Sequence, residues 1–291
     1  MKIKILATIS FFLAYLSVIN AQSYKYPDIP DSIVGREIRI SYMLQHYWDN
    51  ADFSDATMLY DSKVILDYLY LLSNASSEEK GESMKYTIDV MVAKNANFGV
   101  WLFGLEMYLH NPNSQFHDDE LYMQTIDIII SSNADDVFKD ALMKTKEVMS
   151  RNKIGSVAEN FSYQCKDGKK HNMHDIKANL LLVMFNNPDC SRCQRTEEKI
   201  NGNRHIQKMI KKKKLTVLAV CPIAEYDKWL AHSYPANWIC GYDIDETIST
   251  KMLYEIRQFP SLYLLDKDKK VLLKESNYED IVKYLFGNVD N

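Results

Sequence analysis

Residues 180–193 read LLLVMFNNPDCSRC, and they constrain the architecture of the chain more than any other segment. The first six residues form a continuous apolar run, which is typical of a buried central strand. Cys190 and Cys193 follow where a helix is expected to begin, at a spacing that can close a small disulfide without disturbing the fold. The segment therefore predicts a strand, then a dithiol, then a helix.

The two cysteines are predicted to differ in reactivity. Amide groups and the dipole at a helix N-terminus favour the thiolate of the first cysteine, and Arg192 adds a nearby positive charge. We therefore expect a lowered pKa at Cys190 and assign it the role of attacking sulfur. Cys193 lies one turn further into the helix, and we expect it to resolve a mixed disulfide between Cys190 and a substrate.

The cysteine pair has two other possible interpretations, a zinc site and a structural disulfide. Half of a zinc site needs a second pair of ligands, but Cys165, His171 and His174 belong to a separate predicted hairpin and lack zinc-finger spacing. A purely structural disulfide across two residues would close too small a loop to constrain the unfolded chain much. A redox site without metal is the favoured prediction.

The pattern of apolar residues along the sequence changes at about residue 150. From residue 33 to that point apolar residues recur at helical spacing, which predicts about six helices in an irregular bundle. Beyond it, hairpins, apolar runs and helices alternate, which predicts a mixed sheet with helices on both faces. The expected elements begin with a hairpin at 161–173, buried strands at 180–185 and 215–221, and between these strands a helix from Cys190 to about Lys212 with a bend or break near Asn201–Asn203. An inserted helix and strand within 224–242 follow, then a helix near 246–256, a hairpin at 261–273 and a final helix at 278–285.

The N-terminus predicts export. Lys2 and Lys4 give a charged start, an apolar stretch follows, and Ala21 lies at a plausible cleavage point, so residues 1–21 are interpreted as a signal peptide. A retained anchor is the alternative, but the apolar stretch is shorter than the roughly 20 residues that span a bilayer. The mature protein is then expected in the periplasm or cell envelope without stable membrane insertion. A net charge of -4 gives no basic field for nucleic acid.

The segment 180–193, with Phe259-Pro260-Ser261 and the apolar run after it, resembles the thioredoxin superfamily. The hairpin and the insertion make the TlpA/ResA-like branch of exported bacterial proteins the most similar one. This resemblance covers about residue 153 to the C-terminus. It implies an α/β thioredoxin-like domain over 151–291, preceded by an all-α domain over 22–150. It further implies a cis bond before Pro260, which with Phe259 would position the substrate chain beside the dithiol.

Three positions depart from the family pattern. Met184 stands where thioredoxins have a buried aspartate, and Thr196 stands where TlpA-like proteins often have a glutamate, with Glu197 one residue later. Asp189 replaces the usual tryptophan before the first cysteine, and its negative charge is expected to oppose the lowering of the Cys190 pKa. Besides Arg192, we therefore regard Asp189 and Glu197 as candidate tuning groups.

The resemblance implies an exported thiol:disulfide oxidoreductase that reduces protein disulfides. No cofactor is expected besides the redox-active disulfide between Cys190 and Cys193. Its partners would be exported protein thiols or disulfides and a thiol reductant system. The alternative is a binding or assembly module, in which the helical domain engages a partner and the thioredoxin domain is a scaffold. Cys221 and Cys240 fall on neighbouring predicted strands and could form a second disulfide, but buried free thiols are favoured there.

Overall fold

Residues 24–53, 62–94 and 98–287 are described by the computed structural model of the chain. The predicted signal peptide lies outside these residues. Backbone contacts divide the chain into two compact units, one ending at Met143 and the other beginning at Lys144. No helix in the described ranges combines the length and apolar character needed to cross a membrane.

The part of the chain before residue 151 is helical, as the apolar spacing predicts. In the described residues it contains six α-helices: α1 (Arg36–His46), α2 (Ser62–Ser73), α3 (Ser77–Ala93), α4 (Phe98–Leu105), α5 (Asp119–Ser131) and α6 (Asp136–Ser150). A π-helical turn, Glu106–His110, continues α4. Ser76 and Glu79 form a capping box at the start of α3, which satisfies amide groups that the first helical turn leaves unpaired.

The rest of the described chain builds a seven-stranded mixed sheet in the order β2-β1-β5-β4-β3-β6-β7. Strand β3 lies parallel to β4 and antiparallel to β6, so the sheet changes direction beside β3. The strands are β1 (Ser162–Gln164), β2 (Lys170–Asn172), β3 (Leu180–Phe185), β4 (Thr216–Cys221), β5 (Ile239–Tyr242), β6 (Ser261–Asp266) and β7 (Val271–Ser276); the helices are α7 (Ser191–Gly202), α8 (Arg204–Lys211), α9 (Tyr226–Ala231), α10 (Thr247–Thr250) and α11 (Tyr278–Phe286). The predicted α/β class with a helical region before it is confirmed.

Strand β3 is buried on both faces, because it separates two apolar clusters. Leu181, Val183 and Phe185 point into one cluster, while Leu182 and Met184 point into the other, which also contains Cys193. Each fully buried aliphatic or aromatic side chain of this kind stabilises the fold by about 1.5–3 kcal/mol. The central position of β3 therefore fixes the point at which the dithiol begins.

The helix predicted near 246–256 is wrong in extent. Only α10 forms there, although Asp243 caps it by accepting hydrogen bonds from the amides of Thr247 (3.0 Å) and Ile248 (2.7 Å). Met252 has a positive φ of 47°, a left-handed conformation that a continuing α-helix does not allow. The chain therefore leaves the helix and runs as turns towards β6.

Candidate functional site

The dithiol lies at the N-terminus of α7, directly after the loop that leaves β3. Cys190 is the N-cap of α7, and its sulfur accepts a hydrogen bond from the amide of Cys193 at 3.4 Å. The Gln194 side chain stabilises the loop between β3 and α7 by donating a hydrogen bond to the carbonyl oxygen of Pro188 at 2.9 Å. Both sulfurs are free thiols; Cys190 is half-buried and Cys193 is fully buried.

The surroundings give the two thiols opposite acidities. Partial burial raises the pKa of Cys190, but hydrogen bonds from the Cys193 thiol and from the amides of Cys193 and Arg192, with the Arg192 charge, lower it below its usual range. Burial raises the pKa of Cys193 far above its usual range; Cys190 and Glu197 add to this effect, and the amide of Asn187 opposes it. Cys190 is therefore the sulfur that loses its proton more readily.

The loop before β6 lies beside the attacking sulfur. The Cys190 thiol donates to the carbonyl oxygen of Phe259 at 3.6 Å, and the bond from Phe259 to Pro260 is cis. The sheet explains this proximity, because Phe185 at the end of β3 is paired with Ser261 at the start of β6. The two segments that carry the resemblance thus meet at one end of the sheet.

Charged side chains at the dithiol are paired with neighbours. Arg192 donates to the side-chain oxygen of Gln258 at 2.8 Å, which links the dithiol turn to the loop before Pro260. The Asp189 carboxylate lies 2.6 Å from the Lys228 ammonium. Asp189 is therefore paired with a positive charge, and the pKa of Cys190 lies below its usual range despite the expected opposition.

Glu197 faces inward, one helical turn after Cys193. Its side chain is buried, with one carboxylate oxygen 2.9 Å from Nε2 of His232 and the other accepting from Nδ2 of Asn186 at 3.2 Å. Thr196 is only half-buried, and Met184 lies in the apolar cluster with Cys193. Glu197 is thus the buried carboxylate beside the dithiol.

Three polar residues of this network escaped prediction from the sequence. His232 follows α9, Tyr234 accepts a hydrogen bond from Asn186 at 3.0 Å, and Asn186 itself is fully buried at the end of β3. His232 is 35 residues from Glu197 in the chain, so no local spacing joins them. The one available signal was the amide side chain of Asn186 immediately after an otherwise apolar strand.

The remaining cysteines are free thiols in separate surroundings. Cys221 packs with Trp229 and Tyr242, whereas Cys240 packs against the cluster on the dithiol side of the sheet. Cys165, half-buried, follows β1. Among the described residues no three His, Cys, Asp or Glu side chains form a group able to hold a metal ion.

Comparison with known proteins gives matches to both parts of the chain. A family model described as a domain of unknown function (DUF5106) matches residues 3–152. The crystal structure of a thioredoxin-like protein from Bacteroides caccae has 32% sequence identity and a TM-score of 0.69, covering 91% of this chain and 99% of that chain. No curated protein matches this sequence significantly.

Two further solved structures each match less than half of this chain. The C-terminal domain of an uncharacterized protein from Bacteroides fragilis has 37% identity, covers 46% of this chain and 97% of that chain, and gives a TM-score of 0.45. The thioredoxin domain of a thiol-disulfide oxidoreductase from Bacteroides vulgatus has 22% identity, covers 45% and 96% of the two chains, and gives a TM-score of 0.39. On the match to the family model and the similarity to the Bacteroides caccae protein, the chain belongs to the DUF5106 family and carries a thioredoxin-like domain after the DUF5106 region.

Proposed function

We propose that the protein is an exported thiol:disulfide oxidoreductase that reduces disulfides in other exported proteins through Cys190 and Cys193. The observation that carries this proposal is the unequal acidity of two thiols in one helical turn, with the more acidic sulfur beside the Phe259 carbonyl. Such a pair suits thiol exchange, in which one sulfur attacks and the other resolves. Export is supported by the signal-peptide pattern of residues 1–21.

The reaction begins at Cys190. Its thiolate attacks one sulfur of a substrate disulfide, forms a mixed disulfide, and releases the other substrate sulfur as a thiolate that takes a proton from water. Cys193 then loses its proton and attacks the Cys190 sulfur. The Cys190–Cys193 disulfide forms and the second substrate sulfur leaves. Two electrons have passed to the substrate, and an external thiol reductant returns the protein to the dithiol.

Phe259 and Pro260 are the proposed substrate-positioning residues. Main-chain groups of an extended segment can hold a peptide by hydrogen bonds, and specificity then comes from neighbouring side chains. The Phe259 carbonyl oxygen lies 3.6 Å from the Cys190 sulfur, so a chain held there would present its disulfide to the attacking thiolate.

Glu197 is the proposed proton acceptor for Cys193. The buried Cys193 thiol resists ionisation, and a group that removes its proton is needed for the resolving step. Glu197 lies on the same inner face of α7, four residues later, and its charge acts on Cys193. It takes over the function that the family glutamate would serve at Thr196.

The direct test is reduction of insulin by the full-length protein in the presence of dithiothreitol. We expect the wild type to accelerate the precipitation of the insulin B chain and Cys190→Ser to abolish the acceleration. Cys193→Ser should instead accumulate a mixed disulfide that is visible by mass spectrometry. Cys165→Ser is the matched control and should keep the wild-type rate. Undiminished activity of Cys190→Ser would refute the proposed function.

A further inference from the structure

Glu197 and His232 form a shielded acid-base pair behind the dithiol. His232 Nε2 and Glu197 Oε2 are 2.9 Å apart, and the two side chains are 16% and 8% exposed. Asn186 donates to the other carboxylate oxygen at 3.2 Å. The carboxylate is therefore held at both oxygens, and its orientation is fixed from two sides.

The pair is placed to act on Cys193. Residues four apart on an α-helix lie on the same face, and Cys193, Glu197 and Ile200 are the buried residues of α7. Cys193 has no exposed surface, whereas His232 retains some. Glu197 acts on Cys193 and contacts His232, so the pair offers the Cys193 proton a route to a side chain that is partly exposed.

His232 is itself held in place by contacts outside α7. The Lys166 ammonium, in the turn between β1 and β2, donates to the carbonyl oxygens of Leu230 (2.8 Å) and His232 (2.6 Å). The Tyr234 ring stands edge-on to the His232 ring with centroids 4.5 Å apart. These contacts hold the backbone of the segment after α9 and pack one ring against the imidazole that faces Glu197.

A polar pocket of about 360 Å³ adjoins the pair and provides the outlet to water. Gln194, Glu198, Asn201 and Ser233 line it together with Glu197 and His232. A volume of this size has room for several water molecules.

We propose that His232 is a positioning residue for the resolving step, which orients Glu197 towards Cys193 and takes the proton onward to the pocket. The inference rests on the proposed function, because it concerns the same dithiol. As Cys193 attacks the mixed disulfide, its proton passes to the Glu197–His232 pair, the Cys190–Cys193 bond forms, and the bond from Cys190 to the substrate sulfur breaks. That sulfur leaves with the electron pair, and the imidazolium releases its proton to water.

Other titratable groups lie near Glu197 and His232 but do not take part in the proposed proton transfer. Burial raises the pKa of Cys240 to about 12 and that of Tyr234 well above its usual range, so both stay protonated near neutral pH. Lys166 contributes a positive charge at the backbone of His232. A pH profile of the resolving step therefore reports Cys193 with its Glu197–His232 pair.

Ellman's reagent separates the two chemical steps in the full-length reduced protein. Attack by Cys190 releases one thionitrobenzoate, and resolution by Cys193 releases a second; Cys190→Ser should lose both phases and Cys193→Ser only the second. We expect His232→Gln to slow the second phase by about tenfold or more near neutral pH, with the first unchanged, because glutamine donates a hydrogen bond to Glu197 but cannot take its proton. The deficit should shrink in alkaline solution, where hydroxide deprotonates Cys193.

Further variants separate a proton path from a packing effect. Glu197→Gln should slow the second phase to a similar extent, and the double variant should be no slower than either, because the two side chains act as a unit. His205→Gln, an exposed histidine at the start of α8, is the matched control and should keep both phases. A wild-type second phase and pH profile in His232→Gln would overturn the proposal, as would equal slowing of both phases. If the wild type showed no Cys190-dependent first phase, the proposed function itself would be refuted.

Discussion

Cys190 and Cys193 carry the same side chain but meet different surroundings within one turn of α7. Cys190 receives hydrogen bonds from two backbone amides and the Cys193 thiol, whereas the surroundings of Cys193 are dominated by the apolar cluster that it shares with Met184 and Ile200. The direction of this asymmetry was predictable from the sequence, because helix polarity alone favours a thiolate at the first position. The effect of Asp189 was not predictable, since its partner Lys228 lies in a distant part of the chain.

The acidity of Cys190 can be measured through its alkylation by iodoacetamide. A thiolate reacts and a thiol does not, so the rate should fall as pH drops through the lowered pKa of Cys190, with a midpoint below that of an ordinary cysteine. Arg192→Gln should move the profile to higher pH and slow the reaction near neutral pH by roughly twofold, because it removes a nearby positive charge. Arg195→Gln, exposed on the same helix, is the control. A profile unchanged by Arg192→Gln would show that the hydrogen bonds to Cys190, without the Arg192 charge, set the acidity.

Some helix boundaries can be predicted from the local sequence and others cannot. The predicted bend near Asn201–Asn203 is confirmed, because α7 ends at Gly202 and the Asn203 side chain starts α8 by accepting from the amides of His205 and Ile206. The helix near 246–256 was overextended, because the apolar spacing there does not reveal the left-handed backbone at Met252. Side-chain caps leave a signature in sequence, but a left-handed non-glycine residue leaves none.

The role of Asn203 can be tested by urea denaturation of the thioredoxin-like region within the full-length protein. Asn203→Ala should lower the free energy of unfolding by about 1 kcal/mol, because two amides at the start of α8 lose their acceptor. Asn203→Asp should lose less, since aspartate caps a helix equally well. Asn201→Ala, exposed within α7, should leave the free energy unchanged or slightly higher. Equal stability of Asn203→Ala and the wild type would rule out the cap.

At the scale of the whole molecule, the sequence predicted the sheet and the position of the dithiol. It did not predict the polar network of Asn186, Glu197, His232 and Tyr234 next to the dithiol. The apolar runs at 180–185 and 215–221 became adjacent parallel strands, and the pairing of β3 with β6 brought Pro260 to Cys190. The contact between Glu197 and His232 forms instead because the segment after α9 folds back towards α7. Such a return is set by tertiary contacts, among them Lys166 with the carbonyl oxygens of residues 230 and 232.

The reduction potential of the Cys190–Cys193 pair tests thiol exchange most directly. The full-length protein would be equilibrated in glutathione buffers, and its thiols trapped by alkylation and counted by mass spectrometry, with Cys190→Ser as the control. A working oxidoreductase should interconvert reversibly at a potential between about -270 and -120 mV, and a reductase should lie near the lower end. A potential below about -300 mV would mark an inert structural bridge and contradict the proposed function.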